Sequence, residues 1–292
     1  VSRGLGDVYK RQVTMNAASM NNSGFEFSAT YRNRDRDFKY ELSANLSTLR
    51  NRVTSLGFGT DSYISGAYIT NVGQEIGQFY GWAYEGIACT QEDLDNHATQ
   101  EGARIGDCLY KDVSGPDGKP DGKIDANDQV VLGSGMPKIH FGLNARFEYK
   151  RFDLSIATFG ALNYHVSDDI YNSLNSCYGW GNKEVRMLDA NRFSEDGSTY
   201  LSNMPRTYVT NNASLAWNDL FSSRKIQNAA YWKIANVELG YNFPNEWFGK
   251  YVSDVRFYVS AQNLHTFTGY HGYNVDLSLI HISEPTRHSL IS

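Results

Sequence analysis

The chain has 292 residues, a net charge of -5, 14% aromatic residues, 26 glycines and 20 tyrosines. With no concentrated Lys/Arg face, this balance excludes nucleic acid as a partner, and the lack of an apolar run near about eighteen residues excludes a transmembrane helix. Its negative mean hydropathy does not exclude a β-barrel, because inward polar residues offset outward apolar ones in any average.

At the amino end, residues 1–12 read VSRGLGDVYKRQ, and this stretch can be encoded by DNA whose reverse complement translates as LSLIHISEPTRH, residues 277–288. Native termini have no reason to be reverse complements. Residues 1–12 and 277–292 are therefore read as sequencing-adapter artefacts and set aside as tags would be, which leaves 13–276 as an internal fragment.

The first strand pair runs through Phe25, Phe27, Ala29 and Tyr31, turns over Asn33 to Asp37, and returns through Phe38, Tyr40, Leu42, Ala44 and Leu46. Arg32, Arg34 and Arg36 alternate with acids in that turn and read as a solvated surface. A Gly-, Ser- and Asp-rich excursion follows from Asn51 to Pro137. The next hairpin alternates most clearly: Ile139, Phe141, Leu143, Ala145, Phe147 and Tyr149 share one face, His140, Gly142, Asn144, Arg146 and Glu148 the other. Phe152, Leu154 and Ile156 continue the apolar face after Lys150 and Arg151. A period of two is strand, not helix. A second excursion, from about Tyr164 to Asn228, leads to Tyr231, Ala235, Val237, Leu239 and Tyr241 on one expected face, and then to Val255, Phe257, Val259 and Ala261.

Connections thus alternate between short and very long, which is unexpected in a compact soluble domain and expected of an outer-membrane barrel. The sequence predicts an all-β fold, a partial transmembrane antiparallel β-barrel of about six long strands as an open curved sheet with long extracellular loops. Tyr149, Phe152, Tyr231, Trp232, Tyr241, Phe243, Trp247 and Phe248 are expected near the short turns, where rings would meet lipid headgroups. The competing reading is a soluble β-sandwich or adhesin-like carbohydrate-binding module, in which a second sheet covers the same apolar faces.

Asp117, Asp121, Asp125 and Asp128, with Gly122 at a sharp turn, approach the spacing of a calcium loop. Lys119 stands where a ligand oxygen belongs, so a turn held by side-chain to backbone hydrogen bonds is the alternative. Calcium is the one cofactor candidate. Cys89 and Cys108 are either a disulfide closing a loop or two thiols, and Cys177 stands alone. No Cys/His spacing suits zinc, and no GxSxG, HExxH or Walker loop supports catalysis. The expectation is a non-enzyme that grips cargo with loop aromatics ringed by polar groups, foremost Tyr80, Trp82, Tyr84, Tyr178, Trp180 and Trp217. Each of these has core packing within the loop as its competing role. Asn144, Arg146, Glu148, Asn236 and Glu238 would line the lumen.

Five segments, taken in order, carry a family resemblance: NNSGFEFSATYRNRDRDFKYELSANLS from Asn21, NVGQEIGQFYGWAYEGI from Asn71, YKDVSGPDGKPDGKIDANDQVVLGSGMPKIHFGLN from Tyr110, YWKIANVELGYNFP from Tyr231 and RFYVSAQNLHTFTGYHGY from Arg256. Together they resemble the SusC/RagA family of TonB-linked outer-membrane transporters. The resemblance implies a plugged barrel of the roughly 22-stranded class, of which this chain supplies later strands and their loops. It also implies uptake of glycan or peptide fragments at the outer membrane of a Gram-negative, Bacteroidetes-like bacterium, with a SusD-like surface lipoprotein as lid and TonB engaged through a part outside this fragment.

Overall fold

The computed structural model describes residues 18–115, 117–176, 182–185, 197–207, 217–247, 252, 255–272 and 275. In chain order the strands are β1 (Ala18–Ser23), β2 (Glu26–Asn33), β3 (Phe38–Thr48), β4 (Arg50–Leu56), β5 (Ser62–Ser65), β6 (Tyr68–Asn71), β7 (Gln78–Trp82), β8 (Tyr84–Ile87) and β9 (Cys108–Tyr110). They continue with β10 (Gln129–Ser134), β11 (Ile139–Tyr149), β12 (Phe152–Leu162), β13 (His165–Val166), β14 (Gln227–Asn228), β15 (Tyr231–Asn242) and β16 (Arg256–Thr268). The adapter-like ends and Phe248 lie outside the described residues.

Six strands pair side by side in the order β16-β15-β12-β11-β3-β2, each antiparallel to its neighbour. This is the open sheet that the alternation predicts, with β2 and β16 as its edges. Because pairing is in register, apolar residues form continuous rows across strands, such as Leu42, Ala145, Ile156, Val237 and Ala261. The next row, Ser43, Asn144, Ala157, Asn236 and Gln262, points the other way. One-residue slippage would put every polar side chain on the apolar face, so patterning on both faces fixes the register.

The apolar face is bare. Leu143, Leu239, Phe257 and Val259 are 46%, 52%, 63% and 61% exposed, while Phe141, Phe147, Leu154 and Val237 are half-buried. Among the described residues no second layer buries this face, so these strands do not form the two-sheet core of a soluble sandwich. Aromatics edge it at both ends. At the turn end, Phe152 meets Tyr241 at 4.9 Å, Tyr241 meets Phe243 at 5.0 Å, and Phe38 lies 6.0 Å from Phe147. At the loop end, Trp232 stacks on Phe267 at 5.4 Å. Phe152 pairs with Tyr241, and Gly160 with Trp232, so the two rows stand eight residues apart on β12, about 26 Å along the strand. An apolar band of about 25 Å between aromatic girdles is what an outer-membrane barrel presents.

The structure corrects two sequence expectations, the first through a β-bulge. Alternation alone puts Tyr231 on the face of Val237, but Ala235 is an extra residue between the pairs Thr158–Ile234 and Ala157–Asn236. The bulge inverts parity beyond it: Tyr231 and Lys233 turn to the polar face, and Trp232 and Ile234 turn outward. Tyr231 and Trp232 also stand at the loop end of β15 and not near a short turn, because β15 begins where the second excursion returns.

Conventional burial is found in the excursions. Cys108, Tyr110 and Ile124 form a core against which Trp82, Tyr84, Trp217 and Leu220 pack. The first excursion is itself built from strands, with β10, β7, β6 and β5 in one sheet and β8 paired to β9.

Candidate functional site

The polar face of the six strands is layered. Nearest the turns it carries ion pairs: Arg32 Nε to Glu41 at 2.8 Å, Arg146 Nε to Glu148 at 3.1 Å, and Arg256 to Asp153 at 2.5 Å and to Glu238 at 2.7 Å. The Arg256–Asp153 pair lies across Gly240, where a Cβ would come within 2.5 Å of both partners. Glycine is required there by close approach. The exposed pairs, Arg32–Glu41 and Arg146–Glu148, contribute at most about 1 kcal/mol each, while Asp153 is buried beneath Arg256; together they make a wall of mixed sign. A cavity of about 330 Å³, lined by Arg34, Lys39, Tyr40, Glu41, Arg146 and Glu148, opens on this level. The next level up is uncharged, with Thr30, Ser43, Asn144, Asn236 and Gln262. All five expected lumen positions, Asn144, Arg146, Glu148, Asn236 and Glu238, share this face; Arg146 pairs with Glu148, and Glu238 with Arg256.

The loop aromatics are drawn largely into packing. Trp82 donates its indole N–H to the Asp125 carbonyl at 3.0 Å, and Trp217 donates to the Glu101 carbonyl at 2.8 Å. The Trp217 ring lies 6.3 Å from that of Tyr110. Burial pushes the Tyr110 hydroxyl above the usual tyrosine range, so it stays protonated and donates to the Trp217 carbonyl. Tyr84 pairs with Tyr110 in the ladder, and Tyr80 is half-exposed opposite Val131. Tyr178, Trp180 and Cys177 lie outside the described residues.

One joint was not legible in the sequence. Asp107 is fully buried and accepts from Arg206 Nε at 2.5 Å, from the other arm of Arg206 at 3.0 Å, from Asn218 Nδ2 at 2.8 Å and from Arg104 N–H at 2.9 Å. Asn218 Oδ1 in turn accepts the Cys108 N–H at 2.7 Å. The joint ties the first excursion to the second across about a hundred residues of chain. A buried, satisfied acid carries no motif, because its partners are remote in sequence.

In the acidic window, the carboxylates bond backbone N–H groups. Asp128 accepts from Val113 at 2.8 Å, Ser114 at 3.1 Å and Asp125 at 2.8 Å, and Asp125 accepts from Asn127 at 2.7 Å. Burial would raise the Asp128 carboxyl, but these donors outweigh it and hold it below the usual carboxylate range. Asp121 accepts from Lys123 N–H, while Asp112, outside the window, accepts from the N–H groups of Asp121 and Gly122. Asp117 is exposed. Among the described residues no group of three or more His, Cys, Asp or Glu side chains is arranged to hold a metal.

The disulfide alternative is corrected: Cys89 and Cys108 are not bonded to each other. Cys108 pairs with Ile87 in the β8–β9 ladder, which puts Cys89 two residues further along. Such a diagonal is about 7–8 Å, longer than the roughly 4.4–6.8 Å Cα separation a disulfide spans.

No family model matches the chain. It is 29% identical over 269 residues to TonB-dependent receptor P3 of Formosa agariphila, a match covering 88% of this chain and 25% of that protein. It is 25% identical over 280 residues to TonB-dependent receptor SusC of Bacteroides thetaiotaomicron, covering 94% of this chain and 26% of SusC. The fold superposes on the RagAB peptide transporter with a TM-score of 0.70 at 23% identity, over 89% of this chain and 27% of the other. This chain therefore spans about a quarter of the length of the relatives it matches. The resemblance read from the residues holds in both sequence and fold: the chain is similar to one stretch of the SusC/RagA family of TonB-linked outer-membrane transporters, and its six long strands are a partial transmembrane β-barrel.

Proposed function

We propose that this chain is a piece of the wall and outer loops of a TonB-dependent importer in the outer membrane of a Gram-negative, Bacteroidetes-like bacterium. Cargo, a glycan or peptide fragment, is moved and not altered. The short turns face the periplasm and the loop assembly faces outward, beneath a SusD-like lipoprotein. TonB acts through a part of the receptor outside residues 13–276, the portion we read as native. The observation that carries this reading is the bare apolar face, a band of the height of a bilayer's hydrocarbon between two aromatic rows, backed by a wet polar face.

The test is to tag the intact receptor that carries this segment and fractionate cells. Recovery from outer membranes, with a surface lipoprotein co-purifying and cargo uptake lost on deletion, is the expected result. Recovery as a soluble monomer would contradict it.

A further inference from the structure

The hairpin of β2 and β3 does not stop at the loop-end aromatic row. Its strands run on as β1 and β4, which pair with each other, and the alternation of the sheet continues through the join. On β3 and β4, Ala44, Leu46, Thr48, Arg50 and Arg52 take the outward side, while Asn51 and Val53 are buried against the first excursion. Asn51 accepts the Ile76 N–H at 3.1 Å, and Val53 makes backbone bonds of 2.8 Å with Gly73 and Gln74. That inward packing fixes which way the two arginines point. Both are exposed, neither β1 nor β4 holds an Asp or Glu, and among the described residues neither guanidinium meets a carboxylate. On the polar face, by contrast, Arg32, Arg146 and Arg256 are each paired. Two forked guanidiniums on one side of a strand, with no acid between them, suit a phosphate.

Height and shape say which phosphate. Leu46 shares its row with Trp232, and Arg50 lies four residues beyond it. Arg50 therefore stands about 13 Å along the strand above the aromatic row, or about 10 Å once the tilt of a barrel strand is allowed for. The headgroup layer of a phospholipid bilayer is only about 5–8 Å deep on each side, so the anion is carried higher, on a sugar. Ser23 and Asn21, opposite Arg50 and Arg52, add neutral hydrogen-bonding groups at that level. Below them, Ala29, Ala44 and Ala145 floor a groove of about 530 Å³ between Tyr31, Leu143 and Trp232. Thr158 also lines it, with its hydroxyl turned to the Leu143 carbonyl at 3.0 Å. The geometry points to a site for a phosphorylated glycolipid of the outer leaflet. Arg50 and Arg52 hold its phosphate, Ser23 and Asn21 its sugar, and an acyl chain lies in the alanine-floored groove. Closing the barrel adds strands beside the sheet and fills its polar side, which leaves this side of the wall facing outward.

The site rests on the importer reading, which sets the loop end in the outer leaflet, and the test separates the two. The intact receptor is purified in detergent, stripped of lipid and checked as a folded barrel by heat-modifiable gel mobility. It is then titrated with monophosphoryl lipid A, with the dephosphorylated form and with phosphatidylglycerol, and bound lipid is followed by native mass spectrometry. The phosphorylated glycolipid is expected to bind most tightly, and the double variant Arg50→Gln, Arg52→Gln to weaken its tightest binding step roughly tenfold. Ala44→Phe fills the groove, keeps both charges and should also weaken binding. Arg151→Gln removes a cation at the opposite end of the band and should change nothing. The site is overturned by unchanged binding in either folded variant, by a loss in Arg151→Gln equal to that of the double variant, or by equal binding of either comparison lipid. None of those results touches the importer reading, which stands or falls on outer-membrane recovery and uptake.

Discussion

In the six-stranded sheet Leu239 is more than half exposed while Asp153 is 7% exposed; in the loop assembly above it, Tyr110 and Asp107 are both buried. The loops obey the rule of a soluble domain, with apolar rings inside and a satisfied acid at the joint. The sheet obeys it only on its polar side, where charges pair across strands. One chain is thus folded for two solvents: loops for water on all sides, strands for water on one face and hydrocarbon on the other.

Four changes probe the two regions separately. The largest effect is expected in the loops. Asp107→Ala leaves the Arg206 guanidinium without its carboxylate and should cost about 3–5 kcal/mol of local stability, seen as rapid proteolysis within the loops while the barrel keeps its heat-modifiable mobility. On the sheet, Leu143→Arg should cost about 2–4 kcal/mol in a bilayer, measured by urea unfolding in vesicles. A water-exposed leucine at the same position would register within about 0.5 kcal/mol.

Trp82→Phe removes the bond to the Asp125 carbonyl but keeps most of the packing, and should cost about 1 kcal/mol in the same proteolysis assay. The smallest effect is conditional on pH. Because Asp128 is held below its ordinary range, its contribution is present above the unfolded aspartate value of about 3.9 and is lost as pH falls through the lower folded value. Loop protection should therefore decline in acid, and Asp128→Asn should be less protected at neutral pH and flatter with pH.

Much of the sheet was legible because period-two alternation is a local property. Ile139 to Tyr149 is the strand that pattern predicts, the alternation read from Phe152 to Ile156 extends in the structure to Leu162, and the short turns fall where Lys150–Arg151 and Asn33–Asp37 suggest. The bulge at Ala235 was not legible, since an alanine in a strand does not declare which of its neighbours loses parity. That single residue decides that Tyr231 backs Phe159 on the wet side. In the loops, Trp82 and Trp217 were visible as aromatics, but whether a ring packs or binds depends on acceptors such as the carbonyls of Asp125 and Glu101, far away in sequence. The Asp107 joint was hidden for the same reason.

Which solvent meets each face is read by spin labels placed in turn at Leu143, Asn144, Ala145 and Arg146 of the intact receptor in lipid vesicles, with collision rates measured for oxygen and for a water-soluble nickel complex. Labels at 143 and 145 should collide with oxygen and be shielded from nickel, and labels at 144 and 146 should reverse that order. Shielding of 143 and 145 from both reagents would mean that protein covers the face, and the account would be wrong.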